Sequence, residues 1–184
     1  MAPSVIYLAG PEVFLPDAVE LGDRKKEICR HHGFDAVYPM DEPPATPPEA
    51  KELFALEVFD ICVRMMRSCD LVVANFTPFR GVSMDVGTAV EVGFMFAAGK
   101  PVFGYTNVAE AYADRVGRAF PDLSEAELVE DFDLVDNLMC EGVVRRSHGI
   151  VIRHSTSVEG EFRDLAGFEE CVRRAGLDFP DRNS

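Results

Sequence analysis

CDLVVANFTPFRGVSMDVGTAVEVGFMFAAGKPVF, residues 69–103, holds the pattern that decides the fold. Residues 69–76 form a short apolar run of buried-strand character, and the turn-rich TPFRGVSMD (77–85) follows it. From Val86 to Ala98 every residue is apolar or small except Thr88 and Glu91, and the run stops at Gly99. Such a helix is normally buried, and a second strand, PVFGYT (101–106), begins directly after it. A strand, a helix and a strand in immediate succession predict a parallel crossover unit.

The same alternation extends outward. SVIYLA (4–9) reads as a strand closed by Gly10-Pro11, 17–32 as a helix, FDAVYPM (34–40) as a strand and 49–67 as a helix. Between the last two lies EPPATPPEA (42–50), a proline-rich loop of the kind that forms a lid or rim. On the far side a short helix is expected near 108–116, a fifth strand at 149–154 and a last helix over 161–175. The segment 120–142 has eight acids and no Lys or Arg, and reads mostly as a solvated acidic flank. The expected fold is therefore α/β: one domain over 1–184, a flavodoxin-like, doubly wound, five-stranded parallel sheet of order 2-1-3-4-5. Ligands of such sheets bind at the carboxyl ends of the strands, here loops 10–16, 39–50, 76–87 and 106–108.

Charge and composition exclude several classes of function. A net charge of −14 disfavours nucleic-acid polymers and anionic membrane surfaces. No apolar run reaches membrane-spanning length, and the N-terminus goes straight into a strand without a basic leader region. Five scattered cysteines without a C-x-x-C pair suggest neither a metal site nor a disulfide framework, and point to a cytoplasmic setting. There is no G-x-x-x-x-G-K-[ST], no G-x-G-x-x-G and no G-x-S-x-G, and the four histidines lie outside the expected ligand loops.

Carboxylates remain. Six residues of helix turn a side chain by about 600°, so Asp85 and Glu91 do not share one helix face. If Asp85 instead precedes the helix, the loop sets its direction and the two carboxylates can converge. Two carboxylates facing a pocket are the equipment for glycosidic-bond cleavage with retention. The alternative is that Asp85 caps the helix and Glu91 pairs with Arg80. Tyr7, near the carboxyl end of the central strand, is placed to donate a hydrogen bond to a buried carboxylate. Phe14, Met40 and Phe79 offer apolar walls for a ring, or simply belong to the core.

Together IYLAGPEVFLPD (6–17), YPMDE (38–42), 69–103 and DNLM (136–139) resemble nucleoside 2-deoxyribosyltransferases. The most specific part is D-x-G-T-x-x-E-x-G, here Asp85, Gly87, Thr88, Glu91 and Gly93, after T-P-F-R-G. The resemblance implies transfer of a deoxyribosyl group from a 2′-deoxyribonucleoside to another free nucleobase, without metal or organic cofactor. It implies Glu91 as nucleophile, Asp85 as proton donor to the leaving base and Tyr7 as the residue orienting Glu91. Gly10, Phe14, Met40, Asp41, Phe79, Arg80 and Gly81 would bind substrate. Asn137 would reach a neighbouring subunit's site, which implies a homo-oligomer, a dimer or a hexamer built from dimers.

The chain departs from the pattern in two places. Relatives often carry Asp or Asn at the position occupied here by Cys62, with Asp60 nearby, and the tail DFPDRNS (178–184) has no obvious counterpart. Two rivals stay open. One is a 2′-deoxynucleoside 5′-monophosphate N-glycosidase, whose first loop should be rich in serine and glycine, unlike GPEVFLPD (10–17). The other is a non-catalytic nucleotide-sensing module, which would bind without turnover.

Overall fold

The computed structural model describes residues 2–122 and 129–178. Five parallel strands form one sheet of order β2-β1-β3-β4-β5: β1 (Val5–Ala9), β2 (Asp35–Val37), β3 (Leu71–Asn75), β4 (Val102–Thr106) and β5 (Val151–Arg153). The helices are α1 (Ala18–His31), α2 (Lys51–Ser68), α3 (Val86–Ala97), α4 (Tyr112–Ala119), α5 (Leu138–Arg146) and α6 (Ala166–Asp178). The flavodoxin-like arrangement expected from the alternation is the one observed. Among the described residues no helix is long and apolar enough to cross a membrane.

Parallel strands buried on both faces need helices on both, and the period of two along each strand divides the core. Tyr7 and Ala9 of β1, with Val72 and Ala74 of β3, face a layer holding Ile61, Met65 and Met66 of α2 and Val92 and Met95 of α3. Ile6 and Leu8 of β1, with Leu71 and Val73 of β3, face the opposite layer, with Cys29 of α1 and Phe168 and Val172 of α6. Tyr7 sits opposite Val37 and Val72 in the register, and its side chain enters the first layer, the one that contains α3.

Local chemistry moves several expected boundaries. The strand expected over 34–40 ends at Val37, because the Asp41 carboxylate accepts the Tyr38 N–H (2.9 Å) and folds the chain into a turn. The helix expected from 161 starts at Ala166, where Asp164 Oδ1 accepts the Ala166 N–H (2.9 Å). The helix expected near 108–116 lies at Tyr112–Ala119.

The sequence pattern does not predict helix α5, and the acidic flank is less idle than its composition suggests. Asn137 caps α5 by accepting the Met139 N–H (2.9 Å), and Glu130 accepts from Leu138 N (2.9 Å). Glu141 is buried and accepts the Val135 N–H (2.8 Å), while the buried Asp136 accepts the Met84 N–H (2.7 Å) and the Ser83 hydroxyl. Residues 123–128 of that flank and 179–184 of the tail lie outside the described residues.

Candidate functional site

The Tyr7 hydroxyl donates a 2.6 Å hydrogen bond to Glu91 Oε1. The two residues are 84 positions apart in the chain. They meet because strand parity sends Tyr7 toward α3, and because Glu91 lies on the side of α3 that turns toward β1. Tyr7 is fully buried, whereas Glu91 is partly open to solvent. Burial, aided by the neighbouring Glu91 charge, pushes the Tyr7 phenol far above its ordinary range, so it stays a donor.

Three influences set the state of Glu91. Burial raises its carboxyl to about 7, the Tyr7 hydrogen bond opposes that rise, and the charge of Asp85 adds to it. Glu91 therefore gives up its proton near neutral pH rather than in the ordinary carboxylate range. Asp85 stands at the start of the helix that carries Glu91, and its charge is felt there. Arg80 is not the partner of Glu91: its guanidinium lies over the rings of Phe14 (4.8 Å) and Phe79 (4.6 Å).

Asp85 caps α3. Its Oδ2 accepts from the backbone of Thr88 (2.9 Å) and from the Thr88 hydroxyl (3.1 Å). Its Oδ1 has no hydrogen bond among the described residues. The capping role and a chemical role are thus compatible: one oxygen fixes the carboxylate and leaves the other available.

Of the two residues in question on α2, Cys62 is the one beside the site. Burial raises its thiol above the ordinary value and the Glu91 charge adds to that rise, so it is a neutral neighbour. Asp60 is exposed to solvent.

The loop between β3 and α3 is held from outside. Asp136 binds Ser83 and Met84, and Arg115 Nε donates to Val82 O (3.0 Å). Within it, Phe79 N donates to Ser83 O (3.0 Å), and Arg80 adopts a left-handed backbone with φ of 57°. This turn stacks Phe79 on Phe14, with ring centroids 5.5 Å apart and planes 12° from parallel. Phe162 then meets Phe79 edge-on at 5.7 Å. Phe162 carries no signal in the sequence, since it falls in a segment that reads as the start of the last helix.

The remaining expected residues are placed less directly. Gly10 is buried, and Glu12 Oε2 fills the space that a Cβ on Gly10 would need. Asp41 binds Lys26 Nζ (2.7 Å) as well as Tyr38 N, and Met40 beside it is exposed. Gly81 is exposed with open space around its Cα. Asn137 gives its Nδ2 to Glu130 (2.9 and 3.0 Å) at the start of α5.

Comparison with known proteins adds an independent line. Residues 6–139 match the family model described as nucleoside 2-deoxyribosyltransferase. An uncharacterized protein of Schizosaccharomyces pombe is 32% identical over 167 residues, covering 79% of each chain. A 2-desoxiribosyltransferase from Leishmania mexicana superposes with a TM-score of 0.63 at 27% identity, over 91% of this chain and 98% of that one. A conserved protein from Enterococcus faecalis V583 shares the fold, with a TM-score of 0.55 at 20% identity over 95% of this chain and 99% of its own.

The raised carboxyl of Glu91 has a consequence for stability. Its ordinary value is 4.5 and its folded value about 7, so the native state retains a proton that the unfolded chain loses. The stability linked to that proton is complete below about 4.5 and is lost as pH rises through about 7. Glu91→Gln removes this loss. Urea unfolding should show the variant gaining on the parent with rising pH, by on the order of 2–3 kcal/mol well above neutrality. A stability difference that stays constant across this range would contradict the burial of Glu91.

Proposed function

The chain belongs to the nucleoside 2-deoxyribosyltransferase family, and from that premise we propose that it moves a 2-deoxyribosyl group from a 2′-deoxyribonucleoside to another purine or pyrimidine base. The observation that carries this reading is the 2.6 Å hydrogen bond from Tyr7 to Glu91, on a helix that Asp85 caps. Glu91 in its ionised form attacks C1′, and the C1′–N bond breaks with its electron pair going to the base. In this form the one proton held by the two carboxylates sits on Asp85, which gives it to that base. The resulting deoxyribosyl ester on Glu91 is then attacked at C1′ by the incoming base, whose N–H proton returns to Asp85. Two inversions give net retention.

Each side chain has a physical reason for its part. Tyr7 holds one oxygen of Glu91 and leaves the other to attack. The apolar residues beside Glu91, including Val92 and Met95, limit the access of water to the ester. The rings of Phe14 and Phe79, with the Arg80 guanidinium over both, provide a flat wall for a base or sugar, and Gly10, Met40, Asp41 and Gly81 complete the proposed set of substrate contacts. The activity belongs to nucleotide salvage, and a cytoplasmic site of action fits it.

The same proposal includes a homo-oligomer, a dimer or a hexamer built from dimers, with Asn137 serving the neighbouring subunit. On α2, Leu53, Leu56 and Phe59 recur at three-residue spacing and are each more than half exposed, and Val86 and Val90 are exposed on α3. A chain of net charge −14 can approach its own copy closely only through uncharged surface, and this stripe supplies some. Phe59→Glu should convert the assembly to monomers by light scattering after size exclusion. A monomeric parent protein, or an unchanged variant mass, would contradict this face as the interface.

The activity itself is tested with deoxyinosine in the presence and absence of adenine. Deoxyadenosine should form only when adenine is added, because the ester on Glu91 waits for an incoming base. Glu91→Ala should abolish transfer while the fold survives. Release of free sugar alone, faster from the 5′-monophosphate, would overturn transfer in favour of hydrolysis, and binding without turnover would favour a sensor.

A further inference from the structure

The turn that carries Phe14 also holds a buried carboxylate that the proposed chemistry does not use. Glu12, in the 3-10 turn Pro11–Phe14 that follows β1, is 1% exposed. Its Oε1 receives three donors: Lys25 Nζ from α1, Asn75 Nδ2 (2.9 Å) from the end of β3, and Tyr105 Oη (2.8 Å) from β4. Lys25 is 2% exposed, and its ammonium also lies over the rings of Tyr105 (5.4 Å) and Phe168 (5.2 Å). Removing this pair from water costs several kcal/mol per ion, and an apolar pair of similar volume would often stabilise as well. A fully buried ion pair in this place therefore calls for a reason other than stability.

The hydrogen bonds continue from it. Asn75 Oδ1 accepts from Thr77 N (2.9 Å), and Thr77 Oγ1 accepts from Asn107 N (2.9 Å). Asn107 Nδ2 donates to Glu161 O (2.8 Å) and Asp164 O (2.9 Å). One connected chain of polar groups thus ties together three separate segments at the carboxyl edge of the sheet. These are the turn that carries Phe14, the loop that carries Phe79, and the segment that carries Phe162. The three rings that pack on one another are the tips of the three segments so joined.

We infer that Glu12 is a positioning residue for substrate binding: through Asn75, Tyr105 and Lys25 it sets the placement of Phe14, Phe79 and Phe162, the wall against which the flat nucleobase packs. This rests on the proposed transferase reading for the identity of the ligand, but not for the mechanical role. Glu12 touches neither the sugar nor Glu91 in this scheme, so its loss should weaken base binding more than it slows the chemical step. Its Oε2, buried and without a partner among the described residues, leans into the space opened by Gly10, which ties the carboxylate to the first loop as well.

The test compares Glu12→Gln with the double variant Glu12→Gln, Lys25→Met. The single change leaves the Lys25 charge buried without its counter-ion and should destabilise the protein; the double change removes both charges and should restore most of the urea midpoint. In the double variant, KM for the acceptor base should still be raised about tenfold while kcat stays within about threefold. Amide hydrogen exchange in residues 10–16 and 77–81 should quicken about tenfold, with β1 and β3 unchanged. Recovery of KM and loop protection together with stability would overturn the inference, as would faster exchange spread evenly through the core. The exchange measurement reads loop placement whether or not deoxyribose is transferred, so a parent protein without turnover would refute the proposed function alone.

Discussion

A carboxylate in an apolar helix is a cost that a fold does not carry without some return, and in this molecule the 2.6 Å hydrogen bond from Tyr7 decides what the return is. Burial drives the Glu91 carboxyl up and the Tyr7 donor draws it back, leaving it at about 7. Without the donor, desolvation would hold the group neutral and inert as a nucleophile. Without burial, it would be an ordinary ionised glutamate, well hydrated and poorly reactive. The bond also aims the side chain by fixing one of its two oxygens. Everything else at the site is arranged around that pair: Asp85 is fixed by Thr88 at the start of the same helix, and Cys62 stands beside it as a neutral group.

The parallel sheet makes the pairing possible. Its central strands have one face toward α2 and α3 and the other toward α1 and α6, so the parity of a single residue determines which layer receives the phenol. Its carboxyl edge gathers loops from distant parts of the chain. Holding those loops at fixed separations requires directional bonds rather than apolar packing alone, since apolar contacts tolerate sliding. The polar chain from Lys25 and Glu12 through Asn75 and Thr77 to Asn107 supplies such bonds between the segments that carry the aromatic rings. The proposed chemistry and binding rest in this sense on two carboxylates, the partly open Glu91 beside the first layer and the buried Glu12 at the edge of the second.

Much of this is legible in residues 69–103, because an uninterrupted apolar strand, an all-apolar helix and a second strand admit few arrangements besides a parallel crossover. Asp85 and Glu91 stand out for the same reason: charged groups are conspicuous in apolar surroundings. Other features are hidden by the lack of any local signal. Helix α5 starts within an acidic run, and although Asn137 caps it locally, the support of Glu130 for Leu138 appears only when the chain turns back. The early end of β2 depends on the Asp41 carboxylate reaching Tyr38, a choice between turn and strand that propensity does not settle. Glu12 is the largest omission. In sequence it is one acid in a surface-like loop, and its partners at positions 25, 75 and 105 come together only through the sheet order.

In the proposed reaction Glu91 becomes covalently bonded to the sugar. A 2′-deoxy-2′-fluoro nucleoside slows both steps by destabilising positive charge at C1′, and should slow breakdown of the ester enough for it to accumulate. Incubation followed by peptide mass spectrometry should find the fluorinated sugar on the peptide containing Glu91, attached to that side chain. Attachment to Asp85, or continued turnover with no adduct at any carboxylate, would contradict the account.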